Sequence, residues 1–374
     1  MRSLRVLGHS LASTATAAIF RTHLPEVPLM DFDFSPEQYL LRDTVRDFLQ
    51  KESSPRKVRE AWESETGRSD ERWRKLGEMG ILGLNIPEDH GGAGMNEIDM
   101  VLVLEEAGRS ILPEPLLEHA VVGAPLLARA GTDEQKAAWL PRLATGEATV
   151  TVGLATEPYV QDANADLVIL EQDGELHAAT QDRLSLTPLK SADGARRLFK
   201  VTAELDDATR MGAAGENAKW AFEHAAAATA AELVGIADAM LQQTVAYVKE
   251  REQFGRKIGS FQAVQHKLAE TFLLVESAKS AIYYAAYALA HDEPDAHIHV
   301  SVAKAYAGDA ERRANYESLQ LHGGIGFTWE HDLHLWLKRG RALEAQYGDS
   351  DWHRRRIGDW VYAGGGSRET AGVS

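Results

Sequence analysis

The sequence predicts a mainly helical protein in which a small β domain separates two helical ones. Three observations carry this. Apolar residues recur at three- and four-residue intervals on both sides of the chain's middle. The stretch from about 148 to 212 consists instead of short runs cut by Asp-Gly and Asp-Asp turns. Caps and breakers fall where the two textures meet.

The elements follow in order. Residues 1–29 are Ser- and Ala-rich, carry Arg2, Arg5 and Arg21, and hold no acid before Glu26. They read either as a transit or signal leader or as the product of an upstream start codon, with Met30 opening the protein proper. The second reading is preferred. Ser35, Pro36 and Gln38 stand as N-cap, first helical residue and capping-box partner, so a helix should run from here to about Lys51. Further helices are expected over Glu71–Met79, Glu97–Ala107 and Thr132–Leu143, with a turn-rich loop at Pro87–Gly94. They make a helical domain over 30–147. Strands are expected within Thr149–Ala155, Leu167–Leu170, Glu175–Ala179 and Leu198–Leu205, giving a reduced β domain over 148–212. Then Leu233, Ile236, Met240, Thr244 or Val245, and Val248 form one stripe. Leu268, Phe272, Val275, Ile282, Ala286 and Leu289 form another. Residues 213–362 are therefore expected to be a four-helix bundle, and 363–374 a flexible tail.

Composition narrows the function. The chain has 374 residues, 44% of them apolar and 26% charged, enough for two or three domains with their own cores. Forty Lys and Arg against 56 Asp and Glu give a formal charge of −16, which repels phosphate backbones and anionic lipid. Nucleic acid and membrane are thus poor partners, and a cytoplasmic location is expected. Absence of cysteine excludes disulfides, thiolate metal sites and a thiol nucleophile. None of the 14 histidines stands at Glu-x-x-His spacing, and no metal site is assigned.

Two stretches of the last third are more specific than generic helix. Arg251-Glu252-Gln253-Phe254-Gly255-Arg256-Lys257 puts a planar guanidinium where a helix gives way to a Gly-broken turn, a fork suited to pyrophosphate. Gln262 lies eleven residues on. Gln320-Leu321-His322-Gly323-Gly324-Ile325-Gly326-Phe327 offers an amide and a backbone without Cβ, which a ligand can approach closely. A helix precedes these glycines, so they are not a Rossmann fingerprint.

Both stretches resemble the acyl-CoA dehydrogenase family, as do Phe34–Gln38, the Pro87–Gly94 loop and the helical, β, helical order. The resemblance covers about residues 31–362. It implies FAD-dependent α,β-desaturation of a CoA thioester, with electron-transfer flavoprotein as acceptor. It also implies that Arg251, Gln253, Phe254, Gln262, Gln320, Gly323 and Gly324 reach across a subunit interface to the ADP part of a neighbour's FAD. Thr156-Glu157-Pro158 matches the opening of the family's flavin-ring loop, but the Gly-Ser-Asp that normally follows is replaced by Tyr159–Asn164.

Family chemistry needs a carboxylate to take the proton α to the thioester. In most members it is the glutamate of a Tyr-Glu-Gly stretch, whose position is held here by Gly348 in Tyr347-Gly348-Asp349. A minority place a Glu-Arg pair on the helix before the Arg-x-x-Phe-Gly motif; it falls on Ala225 and Ala226. Asp349 is a weak substitute. Glu223 ranks below it, since two residues from Ala225 it should point to another helix face. No confident base remains. Groups serving the chain's own site are gone, whereas those donated to a neighbour persist. The pattern is similar to the non-catalytic partner in the heteromeric enzymes of actinobacterial steroid side-chain degradation, where FAD is shared across an interface with a catalytic subunit. The alternatives are a self-sufficient homo-oligomeric dehydrogenase with an atypical base, and a non-enzymatic scaffold or CoA-ester binder.

Overall fold

A computed structural model describes residues 33–365. The expectations for residues 1–29, and for the tail beyond 365, lie outside the described residues. The helical, β, helical order holds.

In the N-terminal part, α1 (Pro36–Glu52) begins on the expected capping box: Ser35 Oγ accepts the Gln38 N–H and Gln38 Oε1 accepts the Ser35 N–H. It is followed by α2 (Pro55–Glu63), α3 (Asp70–Glu78) and α4 (Glu97–Arg109). A π-helical turn, Leu117–Gly123, then runs into α5 (Ala124–Ala130), and α6 (Asp133–Thr145) starts on a second capping box formed by Thr132 and Gln135. The sequence reading passed over α2 and the 117–130 segment. Residues 116–127 are buried without a break, so no amphipathic period marks them.

The middle strands are β1 (Val150–Gly153), β2 (Val160–Gln161), β3 (Leu167–Gln172), β4 (Glu175–Thr180), β5 (Leu184–Leu189), β6 (Leu198–Ala203) and β7 (Arg210–Ala213). They form one sheet in the order β1-β3-β4-β7 and another in the order β2-β6-β5. Among the described residues only β1 and β3 pair in parallel. The first sheet joins the large helical core through Val150, Val152, Leu167, Ile169 and Leu176; the second closes a small cluster around Val160, Val168 and Leu170.

The C-terminal part has three long helices, α7 (Gly215–Glu250), α8 (Gln262–Ala290) and α9 (Ala296–His322), joined between α7 and α8 by a tight hairpin, β8 (Glu252–Gln253) and β9 (Arg256–Lys257). The shorter α10 (Leu333–Ala345) and α11 (Ser350–Tyr362) pack against α7 and α9, so the expected four-helix bundle is three long helices with a divided fourth. The α7 stripe is buried except at half-buried Val245. One member of the α8 stripe is corrected. Phe272 is half-exposed, because Thr271 and Val275 take the core-facing positions around it. Among the described residues no helix is long and apolar enough to cross a membrane.

Candidate functional site

The residues singled out in the sequence divide between the two ends of α7. Arg251 is its C-cap residue, with its N–H donated to Tyr247 O. The hairpin beyond it is wholly exposed. Phe254 sits at the tip with φ +55 and 91% of its surface open, beside Gly255 at φ +76. Gln262 opens α8 on the exposed side and Gln320 lies exposed at the end of α9. The ends of α7 and α9 that carry the two motifs pack together: Tyr247 stacks on His322 at 4.2 Å and Thr244 Oγ1 donates to Ser318 Oγ at 2.8 Å. Gly323 takes φ +62 with ψ −144, a conformation open to glycine, and a Cβ added at Gly255, Gly323 or Gly324 would meet nothing within 4 Å. A guanidinium, side-chain amides and bare backbone thus converge on open surface. That donor set fits the adenosine-pyrophosphate half of a dinucleotide.

The other expected residues lie near the start of α7, roughly 40 Å away at 1.5 Å per helical residue. A cleft of about 710 Å³ is lined there by Thr156, Glu157, Phe222, Glu223, Gly348 and Trp352, among others. Its volume is in the range of ligand pockets. Gly348 has φ +84, and a Cβ on it would come 2.7 Å from the Trp352 ring and 3.0 Å from His353 Nε2. A side chain starting from this position would meet the indole at its first carbon. Asp349 is committed elsewhere, since its carboxylate accepts the Trp352 N–H at 2.7 Å as the N-cap of α11.

Glu223 and Ala225 do face different sides of α7, but the side that borders the cleft is that of Glu223. Ala225 is fully buried in the core and is not on the cleft wall, whereas Glu223 is, together with Gly215, Ala218, Lys219 and Phe222 at three- and four-residue spacing. That stripe was the available signal, and an ungapped count back from Arg251 passed over it. Glu223 is not free: both its oxygens are held by the Arg356 guanidinium, which also lies 5.6 Å from the centre of the Trp352 ring. Lys304, which the sequence reading missed, is buried behind the turn and donates to the carbonyls of Glu344 (2.9 Å) and Gly348 (2.8 Å). Burial pushes its ammonium down to about 8. Burial likewise pushes His353 down to about 3, leaving a neutral ring whose Nε2–H donates to Tyr347 O. On the opposite wall the Ala155 N–H is taken by Glu171 Oε2 and the Glu157 N–H by Leu154 O, so two amides of the ring-loop segment are already used. Burial raises Glu157. This end suits a flavin ring poorly.

No metal was assigned from sequence. Among the described residues Glu293, Asp295 and His299 come within 4.8 Å of one another at the α8–α9 turn, where Glu293 also accepts from Tyr284.

The fold is a helical, β, helical scaffold with a donor-rich surface at one end of α7 and a cleft at the other, and comparison with known proteins gives its family. Residues 35–147 match the N-terminal domain of acyl-CoA dehydrogenase and residues 215–362 its C-terminal domain. The chain belongs to the acyl-CoA dehydrogenase family, and membership implies FAD. It is 37% identical over 309 residues to acyl-CoA dehydrogenase IpdE2 of Mycobacterium tuberculosis, covering 82% of this chain and 91% of the relative. It is also 37% identical over 331 residues to IpdE2 of Mycolicibacterium smegmatis, covering 86% and 98%. Among solved structures it resembles the ChsE4–ChsE5 complex of Mycobacterium tuberculosis, with TM-score 0.81, 27% identity and coverage of 89% and 99%. The Tcur3481–Tcur3483 steroid enzyme, solved as a G363A variant, gives TM-score 0.80, 26% identity and coverage of 88% and 98%.

Proposed function

We propose that this chain is the non-catalytic subunit of a two-subunit, FAD-dependent acyl-CoA dehydrogenase. Its hairpin and Gly-rich turn would complete the FAD site of a catalytic partner. The observation that carries this is the contrast between the ends of α7. At one, Gly348 stands where the base belongs and Trp352 fills the space; at the other, Arg251, Gln253, Phe254, Gln262, Gln320, Gly323 and Gly324 remain presented outward. Roughly 40 Å of helix is farther than one extended dinucleotide reaches, so the outward set serves another chain's cofactor. FAD supplies hydride acceptance, and this chain contributes charge, amides and close backbone approach to its pyrophosphate and adenosine. Thr156 belongs to the chain's own ring loop and stays with the vestigial cleft. Solved relatives that are two-chain complexes, one described as a steroid enzyme, support a heteromer acting on a bulky, ring-bearing CoA thioester, with electron-transfer flavoprotein as acceptor.

One observation favours a second reading, a self-sufficient dehydrogenase: Glu223 lines the same cleft as Gly348. Both its oxygens accept from the Arg356 guanidinium, so it is already committed to that pair. Purification decides. Alone, the chain should carry little FAD and show no bleaching of flavin absorbance on adding CoA thioesters; co-expression with a partner bearing the glutamate should restore both. Full activity of the lone chain, lost in Glu223→Gln, would establish the second reading. No flavin in any complex would leave a scaffold.

A further inference from the structure

Far from α7, a pocket of about 320 Å³ opens between the end of α1, α2 and the start of α3. We propose that it is a binding site for an oxyanion, a phosphate or carboxylate group, held by Arg68 and Arg72. This inference does not depend on the subunit role.

Around the pocket the charges balance by count, but the hydrogen-bond donors are not all matched. Each carboxylate on its wall is already held: Glu52 by Lys57 (2.5 Å) and Lys75 (3.0 Å), Glu60 by Arg56 (3.2 Å), and Glu71 by Lys75 (2.8 Å). The arginines are not fully matched. Arg72 is only 3% exposed; its Nε donates to Glu114 at 2.6 Å and its Nη1 to Glu52 O at 2.7 Å, but the buried Nη2 has no partner. Arg68 Nε is also buried and unpartnered, and its nearest acid is the exposed Asp70 at 3.8 Å. A buried guanidinium nitrogen without an acceptor is costly, and an oxygen anion relieves it. Both arginines flank Ser69, the N-cap of α3, so the helix dipole adds to the same field.

The site is also rigid. Glu114 accepts the Ser69 N–H at 2.9 Å while pairing Arg72, and Ser64 Oγ accepts the Gly67 N–H at 3.0 Å. Gly67 has φ +77 and its position is backed by Ala195 O, which leaves no room for a Cβ. Arg197 ties the same loop down through the carbonyls of Trp62, Ser64 and Glu65. Donors fixed before binding cost little to order. The pocket is several times larger than a lone phosphate, so the group can be the end of a larger molecule.

Calorimetric titration of the full chain with inorganic phosphate, and separately with acetate, at constant ionic strength tests this. Saturable phosphate binding that weakens at least tenfold in Arg68→Met supports a phosphate-bearing ligand. Saturable acetate binding with the same sensitivity supports a carboxylate-bearing one. In either case Arg68→Lys, which keeps the charge and loses the fork, should fall between, and Arg355→Met, on the exposed face of α11, should bind as wild type. Binding of neither anion, or binding unchanged in a folded Arg68→Met, overturns the proposal.

Discussion

At Gly348 the backbone conformation and a neighbouring ring together oppose any side chain. Putting Glu back would force a side chain into a left-handed backbone and against the Trp352 ring. We expect Gly348→Glu to destabilise the chain by about 2–4 kcal/mol in urea denaturation and to confer no thioester-dependent flavin reduction on it. Recovery of activity by this change alone would show that the cleft is still built for catalysis. Two other buried residues contribute to the pH response. His119 Nδ1 accepts the Val150 N–H and its Nε2–H donates to Leu143 O, so only the neutral ring fits, and burial lowers it to about 4. The folded chain refuses a proton that the unfolded chain takes. Its stability contribution is full above about 6.5 and is lost as pH falls through 4. Glu232 is the reverse case: burial raises it to about 7, so its contribution is full below about 4.5 and is lost as pH rises through 7. Urea midpoints should accordingly fall on both sides of an optimum between about pH 5 and 6.5. Glu232→Gln should gain on the order of 3 kcal/mol over wild type at pH 8 and nothing at pH 4.5.

Among the elements, α7 and its hairpin do most to place the functional groups. The helix was legible from its apolar stripe of Leu233, Ile236, Met240 and Val248, even though residues 228–241 are buried all round, and its end was legible because the Gly255-containing turn motif follows directly on Arg251. Arg251→Ala in the co-expressed complex should weaken FAD retention about ten- to a hundredfold, the scale of losing charge-assisted hydrogen bonds to a pyrophosphate. The flavin-to-protein absorbance ratio after gel filtration measures it, and unchanged occupancy would make Arg251 a surface charge. The cleft at the other end was less legible. Glu223 and Ala225 point roughly 200° apart round α7, and which of them faces the cleft depends on how the helix is rotated against its neighbours, a packing outcome that spacing alone leaves open.

Across the whole molecule, the β5–β6 connection ties the three parts together. Asp193 pairs with Arg339 of α10, which also donates to Leu112 O at 2.7 Å in the N-terminal part. Arg196 reaches Glu118 and Gln346, and all these groups are buried. Removing one partner of such a pair leaves a charge without compensation, typically costing 3–5 kcal/mol. Asp193→Ala should lose about that much and should lower the unfolding transition of helical and β signals together. A loss confined to the β domain would mean that the connection does not couple the parts. The charge of −16 acts at this scale too. FAD and CoA thioesters are polyanions, so any binding rests on local donors such as Arg251 or Arg68 working against the overall field.

The sequence by itself determined the order of helical and β parts, the capped starts at Ser35 and Thr132, and the outward motifs at Arg251 and Gln320. Those are local: a cap, a period or a glycine acts within a few residues, and the chain carries it wherever it folds. Only the tertiary structure decided that Trp352 fills the place beside Gly348, that Glu223 enters the cleft already held by Arg356, that Lys304 clamps the turn from α9, and that Arg68 and Arg72 share a pocket. Each of these depends on helices meeting at a particular rotation. Burial and partner choice at such contacts are set by residues distant in the chain, which no local pattern contains.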